Sequence, residues 1–176
     1  RAPTPACSAV SPCGEESWRG ASAPAAGWGA GNRKQAVCTA KPVTRPALGY
    51  AKIDYYCFNK LADTACTKSL DGGLTWIPIA NTKNPECSGL NGHGVSDSRG
   101  WIYVPYTGCS NTPTIIMSKD EGATWTTFHV APHSKVNGGD PSLAIDRRNG
   151  LYFLWNDSDR LPMLSTSTNG GKTWSE

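Results

Sequence analysis

The stretch Ser69-Leu-Asp71-Gly-Gly73-Leu-Thr75-Trp76 recurs twice, as Ser118-Lys-Asp120-Glu-Gly122-Ala-Thr124-Trp125 and as Ser167-Thr-Asn169-Gly-Gly171-Lys-Thr173-Trp174. The leading serines, at 69, 118 and 167, stand 49 residues apart in both intervals. A second feature keeps step: Gly49-Tyr50, Gly100-Trp-Ile-Tyr103 and Gly150-Leu-Tyr-Phe153 each precede an octapeptide by 17 to 20 residues. Two features in register at one period mark a repeat architecture, in which each unit stacks on the next. Each octapeptide reads as a tight turn. Asp71 and Asp120 can accept hydrogen bonds from backbone N–H groups inside it, and Asn169 can do the same. Gly73, Gly122 and Gly171 suit a position of positive φ. Each tryptophan opens the outgoing strand, with its ring placed to pack under the hairpin.

Between the turns, β-branched and aromatic runs mark strands. They fall near 48–58, 64–69 and 75–80 in the first unit, and near 93–97, 101–107, 113–118 and 124–130 in the second. In the third they fall near 142–147, 150–156 and 161–167, with a further strand opening at Thr173. Composition agrees: 19 Gly, 13 Pro, seven Trp and six Tyr in 176 residues suit short strands and many turns rather than a helical bundle. A net charge of +3 without a Lys/Arg run gives no footprint for nucleic acid. The longest clean apolar run, Leu151 to Trp155, is too short for a membrane-spanning helix.

The pattern S-x-D-x-G-x-T-W resembles the Asp-box, or BNR, repeat. Residues 55–174 look most like secreted bacterial sialidase-like proteins. Tyr55-Tyr-Cys57, Cys66-Thr-Lys-Ser69, Cys87-Ser-Gly-Leu-Asn-Gly-His93-Gly, Tyr103-Val-Pro-Tyr-Thr-Gly-Cys109 and Asp140-Pro-Ser-Leu carry the likeness. It implies an all-β chain of about three consecutive four-stranded β-propeller blades, an incomplete propeller, spanning about 46–81, 88–131 and 139–176. An irregular Ala/Pro/Gly-rich arm over 1–45 precedes them, carrying Trp18 and Trp28. In that family the boxes lie at the rim, so Ser69, Asp71, Gly73, Trp76, Ser118, Asp120, Gly122, Trp125, Ser167, Asn169, Gly171 and Trp174 are expected to be fold residues. Propellers close with about four to eight blades. Three blades therefore imply partners: the remainder of a longer polypeptide, or other protein chains.

Seven cysteines, at 7, 13, 38, 57, 66, 87 and 109, contain no C-x-x-C pair. Their scatter fits a disulfide framework and a secreted, periplasmic or cell-surface location. Cys57 and Cys66 flank a turn over 58–65 and are expected to pair, as are Cys87 and Cys109. Of Cys7, Cys13 and Cys38, one is left without a partner inside the chain.

A sialidase clamps its substrate carboxylate with three arginines, and uses a Glu-activated tyrosine and an aspartate. The family's first arginine lies in a Phe/Tyr-Arg-Ile-Pro motif. Thr44-Arg45-Pro46 is the nearest segment here and lacks the aromatic residue and the isoleucine. The expected function is therefore a secreted, non-catalytic binding or assembly module. The alternatives are the N-terminal part of a sialidase-like glycoside hydrolase and a glycan-binding lectin. Asp140, opening an innermost strand, and Arg45 are the catalytic candidates. His93, between Gly92 and Gly94 at the matching point of the second blade, is a ligand-binding candidate. Asp157 and Asp159 are further candidates for sugar or Ca²⁺. The competing reading makes them hairpin-turn residues beside Arg160. No other cofactor is implied.

Overall fold

The computed structural model describes residues 35–44, 49–60, 63–79, 91–107, 111–137 and 139–175. These residues form three antiparallel sheets and no helix. The first holds β1 (Gln35–Ala40), β2 (Ile53–Lys60), β3 (Asp63–Ser69) and β4 (Ile77–Pro78), in chain order. The second holds β5 (Val95–Ser96), β6 (Ile102–Tyr106), β7 (Thr114–Ser118) and β8 (Thr126–His129). The third holds β9 (Ser142–Ile145), β10 (Leu151–Asn156) and β11 (Pro162–Ser167). Beyond it, Ser175 N donates to Thr166 O (2.8 Å). Each sheet is a meander whose neighbours in sequence are neighbours in space, as its short loops require.

The sheets stack as propeller blades. Strand β6 shows why: its alternate residues enter different cores. Ile102, Val104 and Tyr106 pack with Tyr55, Cys57 and Ile53 of blade one. Tyr103 packs instead with Leu151, Phe153 and Trp155 of blade three. Blade two is thus covered on both faces, and all five residues of β6 and of β7 are buried. Strand β5 lies between β1 and β9, so the first strands of the blades converge. Ser96 Oγ ties β5 to β1 by donating to Thr39 O (2.7 Å).

The octapeptides form the turns between third and fourth strands. In the first, Ser69 Oγ donates to Asp71 Oδ1 (2.8 Å) and accepts from Gly73 N (2.8 Å), while Thr75 N donates to Asp71 Oδ1 (2.9 Å). The second repeats this with Ser118, Asp120, Gly122 and Thr124. In the third, Asn169 Oδ1 accepts from Ser167 Oγ and Thr173 N, both at 3.0 Å. Asn169 Nδ2 donates to Thr173 Oγ1 (2.7 Å), where the aspartates accept from the threonine hydroxyl. A rotated hydroxyl is all the amide needs. Gly73, Gly122 and Gly171 have φ of 88°, 85° and 83°. Gly122 and Gly171 also face Ile79 and Ile115 of the preceding blade, with no room for a Cβ.

Three expectations change. The arm read over 1–45 ends earlier, because Gln35–Ala40 is a strand of blade one, paired from Gln35↔Phe58 to Ala40↔Ile53. Its composition hid it, but Cys38 and Ala40 alternate into the core. The strand read from 48 begins at Ile53, with Gly49 (φ 76°) in the turn before it. The turn read over 58–65 is shorter, since β2 runs to Lys60 and β3 starts at Asp63.

Cys57 and Cys66 are directly opposed across β2 and β3 and form a disulfide. Cys38 is buried in the same core. Cys7, Cys13, Cys87 and Cys109 lie outside the described residues. The nine-residue separation of the bridged cysteines predicts that Cys57→Ala/Cys66→Ala lowers stability by about 2 kcal/mol, through the freed unfolded chain. Urea unfolding of both proteins measures it; equal midpoints would contradict it.

Candidate functional site

Two ends of the blade stack differ in character. At one end lie the octapeptides and the turns joining first and second strands. There Glu121 Oε1 accepts from Val43 N (3.0 Å) and Thr44 N (3.2 Å), and Lys68 Nζ stands 3.5 Å from its carboxylate. Burial alone would raise the Glu121 pKa, but those N–H donors and Lys68 bring it below its ordinary value. Arg99 lies 3.6 Å over the Trp101 ring and pairs with Asp97.

At the other end the chain enters each first strand, and the hairpins between second and third strands come up beside those entries. Thr64 Oγ1 donates to Asn91 Oδ1 (3.3 Å), joining blade one to the entry of blade two. Gly92 N donates to Pro105 O (3.0 Å). Gly92 also packs so closely on Pro141 that a Cβ there would collide with the Pro141 carbonyl oxygen. His93 follows Gly92 and Asp140 precedes Pro141 in sequence, and both are exposed. Asn137 joins the third hairpin: its N–H donates to Asn156 O (3.0 Å) and its Nδ2 to Ser158 O (3.4 Å). The Asn91 amide is buried here, while the His93 imidazole and the Asp140 carboxylate belong to exposed residues.

Of the sequence candidates, His93 and Asp140 each adjoin a partner of the Gly92–Pro141 contact in sequence. Asp157 has a different task. Its Oδ1 accepts from Asp159 N and Leu161 N, both at 2.9 Å, and Arg160 takes φ 64° to close the hairpin. Asp97 and Asp146 do the same in their own turns, each accepting from the residues two and four positions on. The Asp157 Oδ1 is therefore engaged in its own turn. Asp159 is exposed on the same hairpin. Among the described residues no three His, Cys, Asp or Glu side chains group as metal ligands. Arg45 lies outside the described residues. Its neighbour Thr44 is bonded to Glu121 at the octapeptide end, away from His93 and Asp140.

Sequence reasoning missed Asn91 and Asn137. Their signal was positional: each falls just before a first strand, Asn91 two residues before His93 and Asn137 three before Asp140.

No family model and no curated protein matches the sequence. Solved structures do. The intramolecular trans-sialidase from Ruminococcus gnavus, in complex with oseltamivir carboxylate, is similar at 21% identity with a TM-score of 0.50. The match covers 65% of this chain and 26% of that one. A fucose lectin from Kordia zhangzhouensis, in complex with methyl-fucoside, is similar at 12% identity with a TM-score of 0.53. It covers 81% of this chain and 96% of that one. With the three stacked antiparallel sheets, these similarities show an all-β, propeller-type fold. The chain spans about a quarter of the trans-sialidase, 26% of its length. A disulfide and these neighbours agree with an extracellular location.

Proposed function

We propose that this chain is a secreted, non-catalytic propeller module of the Asp-box type that binds glycan at the end carrying His93 and Asp140. The Gly92–Pro141 contact supports the reading, because it joins the entries of blades two and three, and the exposed His93 and Asp140 adjoin it in sequence. The chemistry of that surface supports binding without hydrolysis. A sialidase needs a cluster of arginines around a tyrosine nucleophile. Among the described residues of this end Arg160 is the single guanidinium, and Tyr106 is buried in the core. Asp157 is engaged in its turn. The Cys57–Cys66 bridge supports an oxidising compartment.

A glycan array followed by calorimetry on the best hit tests this, together with fluorogenic sialoside and fucoside substrates. The expected result is saturable binding, weakened about tenfold or more by His93→Ala and by Asp140→Ala, with no hydrolysis. Turnover of either substrate would replace the reading with a hydrolase. Undiminished binding in both variants would remove the site.

A further inference from the structure

We propose that the octapeptide end of blades two and three is a second binding surface, and that it takes an acidic polysaccharide. It lies at the opposite end of the stack from His93 and Asp140 and does not depend on glycan binding there. The surface is built around Trp101. Ile102 pairs with Ser118 and Leu151 with Ser167, so Trp101 stands where blade three has Gly150. The repeat therefore does not call for an indole at this position. Two cations converge on it. The Arg99 guanidinium lies 3.6 Å from the ring centroid, and Lys119 Nζ lies 4.4 Å from it. The electron-rich ring attracts each cation, but the two repel one another. Arg99 has a carboxylate partner in the buried Asp97. Lys119 has none among the described residues.

Neighbouring turns add positive charge. Ser98 N donates to Asn149 Oδ1 and Asn149 Nδ2 to Ser98 Oγ, both at 3.0 Å. These bonds hold the turn that carries Arg147 and Arg148 beside the turn that carries Arg99. The third octapeptide joins them: a Cβ on Gly170 would stand 3.5 Å from Arg99 Nη2 and 3.6 Å from Trp101 Cζ3. Lys172 follows two residues on. Arg99, Lys119, Arg147, Arg148 and Lys172 are all exposed. The carboxylates of these turns are already engaged. Asp97 accepts from Arg99 and Tyr103, and Asp120 from Ser118 and Thr124. Glu121 accepts from Val43 and Thr44 and pairs with Lys68. Asp146 accepts from Arg148 N, Gly150 N and Tyr152 Oη. Beside Lys172 the octapeptide has Asn169 where the other two have aspartate, so the turn is kept and its negative charge is gone. Among the described residues none of Lys119, Arg147, Arg148 and Lys172 is ion-paired.

This chemistry selects a polyanion whose charges are spread along a polar chain. Packed sheets lie about 10 Å apart, so cations on adjacent blades can meet successive anionic groups of one strand. Guanidinium forks and ammonium groups match sulfate or carboxylate oxygens. Single-stranded nucleic acid fits less well, because it needs open aromatic faces for base stacking, and the Trp101 ring is taken by Arg99 and Lys119. An anionic membrane fits less well, because surface anchoring needs apolar side chains to insert. Ser98, Arg99, Arg147, Arg148, Asn149 and Lys172 offer none. The Cys57–Cys66 bridge agrees with an extracellular setting, where a polysaccharide is the accessible polyanion.

Calorimetry with heparin on the 176-residue chain, at low and at physiological salt, is the test. The expected result is saturable binding that weakens as salt rises, since exposed charges are screened over about 8 Å at physiological ionic strength. Arg147→Ala/Arg148→Ala is expected to weaken it about tenfold. Lys135→Ala/Arg160→Asn removes two charges at the other end and should leave it unchanged; asparagine tolerates the left-handed φ of Arg160. Equal losses in the two variants would reduce the effect to net charge and overturn the surface. So would no heparin binding at low salt. Tighter binding to duplex DNA than to heparin would replace the polysaccharide with nucleic acid. Binding to phosphatidylserine vesicles without heparin binding would replace it with a membrane. His93→Ala is expected to keep heparin binding, and its loss there would move the anion to the other end. Heparin binding by a protein that fails the glycan array counts against the proposed function alone.

Discussion

Gly92→Ala is expected to lower stability by about 4 kcal/mol and to abolish glycan binding. The added Cβ would meet the Pro141 carbonyl oxygen, and the next nearest heavy atoms, both at 3.1 Å, are Pro105 Cγ and Pro141 C. These are backbone and a proline ring, so no rotamer change relieves the overlap. Nor can Gly92 withdraw, since its N–H is held by Pro105 O. The strain must separate the entries of blades two and three, which are the two parts of the proposed site. Gly49→Ala is the control. Gly49 has φ 76° but, among the described residues, nothing within 4 Å of the added atom. Its replacement should cost only the left-handed backbone preference, about 1 kcal/mol. Urea unfolding of both variants separates crowding from conformation, and equal costs would refute the close-approach argument.

Asp120→Ala is expected to cost about 3 kcal/mol, and Asp120→Asn much less. The alanine leaves Ser118 Oγ, Thr124 N and Thr124 Oγ1 without the acceptor that holds the turn. Asparagine keeps it, as Asn169 does in the third octapeptide. The two differ in acid. Asp71 is brought down to about 2 by the Thr75 hydroxyl and N–H and by Ser69. Burial would raise Asp120, but the hydrogen bonds of Thr124 and Ser118 hold it below its ordinary value. Carboxylates depressed in the folded state contribute stability above the unfolded value, near 4. That contribution is lost as pH falls through the folded value. Wild-type Tm should therefore drop between about pH 4 and pH 2, and the drop should be shallower in Asp71→Asn/Asp120→Asn. A steeper drop in the double variant would show that these turns do not govern acid unfolding.

The sequence by itself determined the period, the sheet class and the turn chemistry. These are local matters: an octapeptide carries its own serine, carboxylate, glycine and threonine, and its hydrogen bonds close within five residues. Even Asn169 was legible, because its amide oxygen does the work of a carboxylate oxygen in that turn. Cys57 and Cys66 could be matched for the same reason, being opposed across one hairpin. Tertiary structure alone decided the rest. Gln35–Ala40 became a strand because Ile53–Phe58 lies opposite it, which its composition does not announce. Asp157, Asp97 and Asp146 look alike as side chains, and only the folded loops show that each is engaged by its own turn. Gly92 and Pro141 are far apart in sequence, and their backbones touch because Gly92 carries no side chain. Tyr103 and Tyr152 make one hydrogen bond in one repeat position, yet one is buried and the other exposed. That difference depends on whether another blade lies against the face, and no stretch of local sequence encodes it.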